Sequence, residues 1–273
     1  MKKILMALAA WLVFSASAAA QEVPVDIRVN GEYIKTVSEP IVLNGRTYAP
    51  IRSVANALCS ESVIWNDAEK SADITIGGNT LKIYIGSTSA VYNGKTIPLS
   101  EAPFISSDRT FLPVRAISEL FGANVSWDSE YKNVEITKEE ISVPESSVDT
   151  SFTHDDLYWM SRIIKAESCG EPLFGKIAVG DVILNRVKSN LFPNTIYGVI
   201  FDTKYSVQFE PVMNGSIYNQ PCEESIAAAK LSMTNDTVIG NCLYFFNPSI
   251  AASSWISKNR IYYTTIGKHQ FYL

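Results

Sequence analysis

A chain of 273 residues with only two histidines, His154 and His269, has little scope for metal chemistry. Neither lies in a His-Glu-x-x-His pair or a cysteine-rich cluster, so a zinc centre has no ligand set and neither a metal nor a cofactor is expected. No Gly-x-Ser-x-Gly turn presents an activated serine. Carboxylates remain, and Glu167 has the setting for proton transfer. It follows Ile164 by three residues and Met160 by seven, which puts it close to the apolar face of a helix. It also stands near that helix's C-terminus, where the dipole disfavours an anion. A carboxyl group that must hold a proton near neutral pH needs such surroundings. The turn-forming Ser168-Cys169-Gly170-Glu171-Pro172 then places it at the edge of a cleft.

The elements that hold Glu167 are readable around it. Thr153 and Asp156 have the spacing of a capping box, opening a helix that runs through Leu157, Met160 and Ile164 and ends near Gly170. Pro172 precedes a second helix over about 174–188, whose Ile177, Val179, Val182, Ile183 and Leu184 cover most of its circumference. A helix apolar nearly all round is a buried central one, and Asn185-Arg186 within it are expected to satisfy internal polar groups. Glu171 is expected to cap this helix. Shorter helices are expected over 195–201 and 223–233, and His154, near the cap of the first helix, is expected on the surface. The stretches 205–217 and 242–273, rich in Tyr, Phe, Asn and Gly, read as irregular aromatic loops. Among the cysteines 59, 169, 222 and 242, the pair Cys222–Cys242 is weighed against no disulfide at all.

The first half of the chain repeats itself. Asn44-Gly45-Arg46-Thr47-Tyr48-Ala49-Pro50-Ile51-Arg52 returns as Ser107-Asp108-Arg109-Thr110-Phe111-Leu112-Pro113-Val114-Arg115, a period of about 63 residues. Asn30-Gly31 likewise matches Asn93-Gly94, and Trp65 matches Trp127 with a one-residue slip. Two copies at so long a period imply a duplicated supersecondary unit rather than a solenoid. Each unit reads as short strands around an Asn-Gly turn, a short helix (51–58 or 114–121) and a closing strand (72–76 or 133–137). Arg52 and Arg115 are expected to close turns or to pair with carboxylates. Ahead of the repeat, Met1-Lys2-Lys3, an apolar run to Phe14 and small residues to Ala20 have the layout of a secretory signal peptide. Net charge is −5 without a basic cluster, which argues against nucleic acid as partner.

Two resemblances sharpen this reading. The twofold Arg-Thr-x-x-Pro-x-Arg pattern resembles the copper amine oxidase N-terminal-like module, although the chain has too few histidines to ligate copper. The run Ile164-Lys165-Ala166-Glu167-Ser168-Cys169-Gly170-Glu171-Pro172, then Val182-Ile183-Leu184-Asn185-Arg186, Gln208-Phe209, Tyr244-Phe245-Phe246-Asn247-Pro248 and Gly267-Lys268-His269-Gln270-Phe271, resembles the spore-cortex-lytic cell-wall hydrolase family. That resemblance implies a lysozyme-like helical core and cleavage of peptidoglycan glycan strands, with Glu167 as catalytic acid. It points to Gln208, Tyr244, Asn247 and His269 as substrate contacts, their amides, phenol and rings suiting sugar recognition. Cys169 departs from the family pattern, with an effect expected on substrate contacts only.

Cleavage by water normally takes two carboxylates. Asp181, Asp202 and Glu210 are weaker candidates for the second. An enzyme with one Glu works if the muramic acid's own 6-hydroxyl attacks the anomeric carbon. The expected organisation is α+β: a signal peptide (1–20), a duplicated β-rich module with short helices (21–138), a linker (139–152) and a mainly α lysozyme-like catalytic domain (153–273). The expected protein is secreted and associated with cell wall or spore cortex, with no integral membrane segment once the signal is removed. Its expected partners are peptidoglycan glycan strands, and a wall or protein partner for the module. The competing readings are a water-using muramidase and a non-catalytic peptidoglycan-binding protein.

Overall fold

The computed structural model describes residues 23–204, 207–251 and 254–273, so the expected signal peptide lies outside the described residues. The N-terminal module contains β1 (Asp26–Val29), β2 (Glu32–Tyr33), β3 (Ile41–Leu43), β4 (Arg46–Pro50), α1 (Ile51–Ala57), β5 (Ser60–Asn66) and β6 (Ser71–Ile76). It continues through β7 (Asn79–Tyr84), β8 (Ser89–Tyr92), β9 (Lys95–Pro98), β10 (Phe104–Ser106), β11 (Arg109–Pro113), α2 (Val114–Leu120), β12 (Asn124–Asp128) and β13 (Asn133–Thr137).

The two repeats do not fold side by side; they interlock. β4 and β11 pair antiparallel, with Ala49 opposite Leu112, Tyr48 opposite Pro113 and Pro50 opposite Phe111. Tyr48 and Phe111 are repeat equivalents, as are Pro50 and Pro113, so this register makes a local two-fold axis between Ala49 and Leu112. The other two sheets obey the same exchange. Their strand orders are β5-β6-β7-β8-β9 and β12-β13-β1-β2, each joining the closing strands of one repeat to the opening hairpin of the other. In the second, β1 lies parallel to β13 with Asp26 opposite Asn133; in the first, β7 intervenes.

Local chemistry sets the turns. Asn30-Gly31 and Asn93-Gly94 both take positive φ (48° and 88°, 47° and 76°), as two-residue hairpins require. Pro50 and Pro113, at φ −56° and −53°, end their strands and open α1 and α2. Ile27, Val29, Leu58, Ile74, Leu81, Leu112, Ile117 and Ile136 make one core shared by both repeats.

The C-terminal domain contains α3 (His154–Ser168), α4 (Leu173–Lys188), α5 (Ile196–Ile200), α6 (Glu210–Asn214), α7 (Glu223–Thr234), β14 (Tyr244–Phe246), α8 (Trp255–Asn259), β15 (Tyr262–Ile266) and β16 (His269–Tyr272). The expected capping box is present: Thr153 Oγ1 accepts from Asp156 N at 3.1 Å, and the Asp156 carboxylate accepts from Thr153 N at 2.9 Å. α4 is buried along most of its length and packs against α3 and α7. Gly180 permits that approach, since a Cβ there would fall 2.6 Å from Ser232 Oγ. The chain is therefore α+β, with a β-rich first half and a helical second half, as expected.

Three expectations change. The stretch 242–273 is not irregular, because β14, β16 and β15 form a sheet that packs Phe271 beneath α4. Its Tyr, Phe and Thr content suits strands. Residues 139–152 form an ordered strap rather than a free linker. Asn30 Nδ2 donates to Lys138 O and Ile141 O, Ile34 bridges to Val148, and Ile141 and Val143 pack on the module core. His154, expected on the surface, sits half-buried at the seam between the halves, edge-on to Tyr131 at 5.0 Å. All four cysteines are unpaired.

That seam is well knit. Lys230, 2% exposed, pairs with Asp26 at 2.9 Å and donates to Asn133 Oδ1 at 3.0 Å and Pro24 O at 2.7 Å. Arg162 donates to Tyr131 Oη at 2.7 Å, and Tyr33 packs on Phe152 at 4.7 Å. No helix among the described residues is long and apolar enough to cross a membrane.

Candidate active site

Glu167 occupies the last turn of α3, half-buried, one residue before the fully enclosed Ser168. Burial pushes its carboxyl up from 4.5 to about 7; the charge of Glu210 adds to the rise and that of Arg186 opposes it. A carboxyl group in that range is part protonated at neutral pH and can both give and take a proton.

Arg186 comes from the buried face of α4, 5% exposed. Its Nε donates to Leu243 O at 2.8 Å and its Nη1 to Gln208 Oε1 at 3.5 Å. The guanidinium lies among the rings of Phe192 (4.9 Å), Phe209 (5.3 Å) and Tyr244 (5.8 Å). Burial lowers its affinity for a proton, and Tyr244, Asp202 and Glu167 offset part of that effect. Asn185 fulfils its expected internal role, donating to Gly240 O and Cys242 O. Arg186 does more, fixing the position of Gln208 and supplying the positive field at Glu167. Its place in an apolar helix gave no sign of this.

Tyr244 opens a second wall. Its hydroxyl accepts from Arg260 Nη2 at 3.0 Å, and the Arg260 guanidinium lies over the rings of Tyr244 (4.5 Å) and Trp255 (4.9 Å). Trp255, joined to Tyr244 through Arg260, is about half exposed on this side. Glu167, Arg186, Gln208 and Tyr244 are thus linked through one guanidinium, with an aromatic ledge beside Tyr244.

The other expected residues divide. Asn247 lies three residues beyond Tyr244, where its Oδ1 accepts from Ser249 N at 3.0 Å to close a turn. His269 is corrected. It is 6% exposed, flanked by Phe245 at 5.2 Å and Phe271 at 6.4 Å, so its ring packs the sheet and does not face solvent. Burial lowers its pKa, with Glu171 acting against the shift. Glu171 does not cap α4, whose N-cap is Pro172 without a side-chain bond. Instead its Oε2 accepts from Lys268 N at 2.8 Å, tying the β15–β16 turn to the start of α4. Gly267 is needed there, at φ 59° and with no room for a Cβ beside Glu171. Asp181 is also structural, accepting from Val238 N at 2.7 Å and Thr237 Oγ1 at 3.0 Å. Of the candidate second carboxylates, only the exposed Glu210 acts on Glu167.

Residues 170–272 match the family model for cell wall hydrolase, and residues 28–136 match that for the copper amine oxidase N-terminal domain. The C-terminal half of this chain belongs to the cell wall hydrolase family. A spore cortex-lytic enzyme of Bacillus cereus is 40% identical over 126 residues, 46% of this chain and 47% of that protein. One of Oceanobacillus iheyensis is 38% identical over 128 residues, 47% of this chain and 45% of that protein. The chain spans about half the length of the curated relatives it matches. The solved catalytic domain of the germination-specific lytic transglycosylase SleB from Bacillus anthracis is 40% identical, with TM-score 0.42, over 46% of this chain and all of that one. The hydrolase match begins at Gly170, three residues after Glu167. Residues 28–136, despite the copper in that domain's name, contain no histidine.

Proposed function

We propose that this cell wall hydrolase cuts the β-1,4 bond between N-acetylmuramic acid and N-acetylglucosamine in peptidoglycan, as a lytic transglycosylase with Glu167 as both acid and base. The observation that carries this is Glu167 itself: a half-buried carboxyl raised to about 7 at the end of α3, beside a buried guanidinium. In the first step its proton passes to the glycosidic oxygen, which leaves with the bonding pair as the new hydroxyl of the departing sugar. The muramic 6-hydroxyl then attacks C1, and Glu167, now a carboxylate, takes the hydroxyl proton. A 1,6-anhydro end forms, Glu167 is restored, and no water is consumed. Arg186 steadies the carboxylate stage, Gln208 and Asn247 offer amides to the N-acetyl groups, and Tyr244 with its aromatic neighbours offers faces to sugar rings. The relatives' names place them in spore cortex lysis and germination, which supports a wall or cortex substrate outside the cell.

One observation favours water as the attacking group instead: the Glu210 carboxylate is near enough to raise Glu167, and a paired carboxylate could activate water. Mass spectrometry of muropeptides released from peptidoglycan and spore cortex separates the two. Anhydro ends from the parent and none from Glu167→Gln are expected. Reducing ends that incorporate labelled water, lost in Glu210→Gln, would replace the transglycosylase with a muramidase. An unaltered substrate in both would remove the catalytic reading.

A further inference from the structure

The two-fold exchange in the N-terminal module produces two equivalent grooves. The larger, of about 710 Å³, is lined by Pro50, Ile51, Arg52 and Trp65 of the first repeat and by Arg109 and Thr110 of the second. The smaller, of about 430 Å³, is lined by Pro113, Val114, Arg115 and Trp127 of the second repeat and by Arg46 and Thr47 of the first. Every residue of one set has its repeat counterpart in the other. Each groove therefore holds an indole and two guanidiniums, one from each repeat.

A duplicated core preserves apolar positions because packing demands them. These arginines are exposed, and packing does not account for them. In the larger groove neither Arg52 nor Arg109 meets a carboxylate among the described ion pairs. Arg52 donates to Val63 O at 3.2 Å and Arg109 to Asp108 O at 3.2 Å. The Arg52 bond ties α1 to β5 rather than closing a turn, and it leaves the charge unanswered. Lys35 and Lys70 also line this groove, against Asp67 and Asp108, so cations outnumber carboxylates by two to one. In the smaller groove the charges are answered: Arg46 pairs with Glu101 at 2.7 Å and Arg115 with Glu119 at 3.7 Å. Trp127 there is 46% exposed.

An indole wall beside a two-pronged guanidinium pair suits a ring with a carboxylate attached: the sugar's apolar face lies on the indole and the carboxylate meets the fork. Two such grooves on one rigid module suit a polymer that repeats that unit. We propose that the N-terminal module is a bivalent receptor for a carboxylate-bearing sugar chain, engaged chiefly through the Trp65 groove and secondarily through the Trp127 groove. The inference goes beyond the catalytic reading and holds whether or not Glu167 cuts glycan.

The test uses the full chain carrying Glu167→Gln, so that no ligand is consumed, and glycan strands stripped of peptide by an amidase, whose lactyl groups are free carboxylates. Chitin oligosaccharide, with the same ring framework and no carboxylate, is the control. Arg52→Gln with Arg109→Gln is expected to weaken strand binding about tenfold, and Arg46→Gln with Arg115→Gln about threefold or less. Trp65→Ala is expected to cost about tenfold, and adding Trp127→Ala to multiply that loss by its own, as two sites engaged together require. The arginine variants alter exposed side chains only, and an unchanged melting curve accompanies the expected result. Chitin bound as tightly as the stripped strands, or strand affinity unmoved by the Arg52 and Arg109 pair, would overturn the proposal. Because the readout is binding by a Glu167→Gln protein, its failure leaves the muropeptide experiment untouched, and the reverse holds as well.

Discussion

If Glu167 is held in a site that disfavours its charge, replacing it with Gln stabilises the protein while removing its acid. In the unfolded chain this carboxyl titrates near 4.5, and in the folded chain near 7. Below pH 4.5 both states hold the proton and the site imposes no penalty. Between 4.5 and 7 the unfolded chain releases its proton first, so stability falls; above 7 the whole penalty remains. At about 1.4 kcal/mol for each tenfold difference in proton affinity, the ceiling is roughly 3 kcal/mol. Glu167 retains some contact with solvent, which screens the penalty to about 1–2 kcal/mol. Urea unfolding of parent and Glu167→Gln at pH 4, 6 and 8 reads this directly. Equal stability is expected at pH 4, with the variant ahead by about 1–2 kcal/mol at pH 8, or a few degrees in Tm. A difference that does not change with pH, or a variant that is weaker at pH 8, would refute the claim that burial sets this proton affinity.

Three further outcomes are expected. Glu210→Gln removes a charge that raises Glu167, so the alkaline limb of the rate profile should move down by a few tenths of a pH unit, visible in initial rates between pH 5 and 9. Asp26→Ala leaves the buried Lys230 ammonium without its carboxylate, and chemical denaturation should show a loss of about 2–3 kcal/mol, part of it recovered by adding Lys230→Met. Gly180→Ala forces α4 from α7 against Ser232, and should cost about 1–3 kcal/mol by the same measurement, with Ser232→Gly restoring part of it.

The helices around the site were legible because their signals are local. Thr153 and Asp156 mark one start, Pro172 another, and the apolar periodicity fills the spans between. The duplication was legible as near-identity. Its consequence was not, because nothing within Arg46–Pro50 says that its partner is Arg109–Pro113 rather than a neighbour in its own repeat. The strap was missed for a similar reason: Ser, Glu and Pro read as solvated chain, while Ile141 and Val143 pack on the module core and Asn30, 111 residues upstream, binds the Ile141 carbonyl. At the site, Glu167 could be singled out because a helix end is a sequence-level position with known electrostatics. Arg186 could not, since a charge inside an apolar helix looks the same whether it serves the fold or faces a cleft. His269 stands in a motif block beside chemistry, yet its surroundings are Phe245 and Phe271, and motif proximity alone does not reveal that a ring is enclosed.

The exchange of strands between the repeats also sets an order of events. β1 lies among the first described residues, but its partner on one side is β13, and Arg28 waits for Glu135, 107 residues later. Pro24 waits longer still, for Lys230, 206 residues away. Closing loops of that length is slow, because the ordering cost falls due before most of the contacts form. A chain emerging from its N-terminus therefore cannot finish its first module until that module is fully out, nor seal the seam until α7 has followed. The topology keeps the early chain open, and it lets the two grooves of the module and the surroundings of Glu167 reach their final form together.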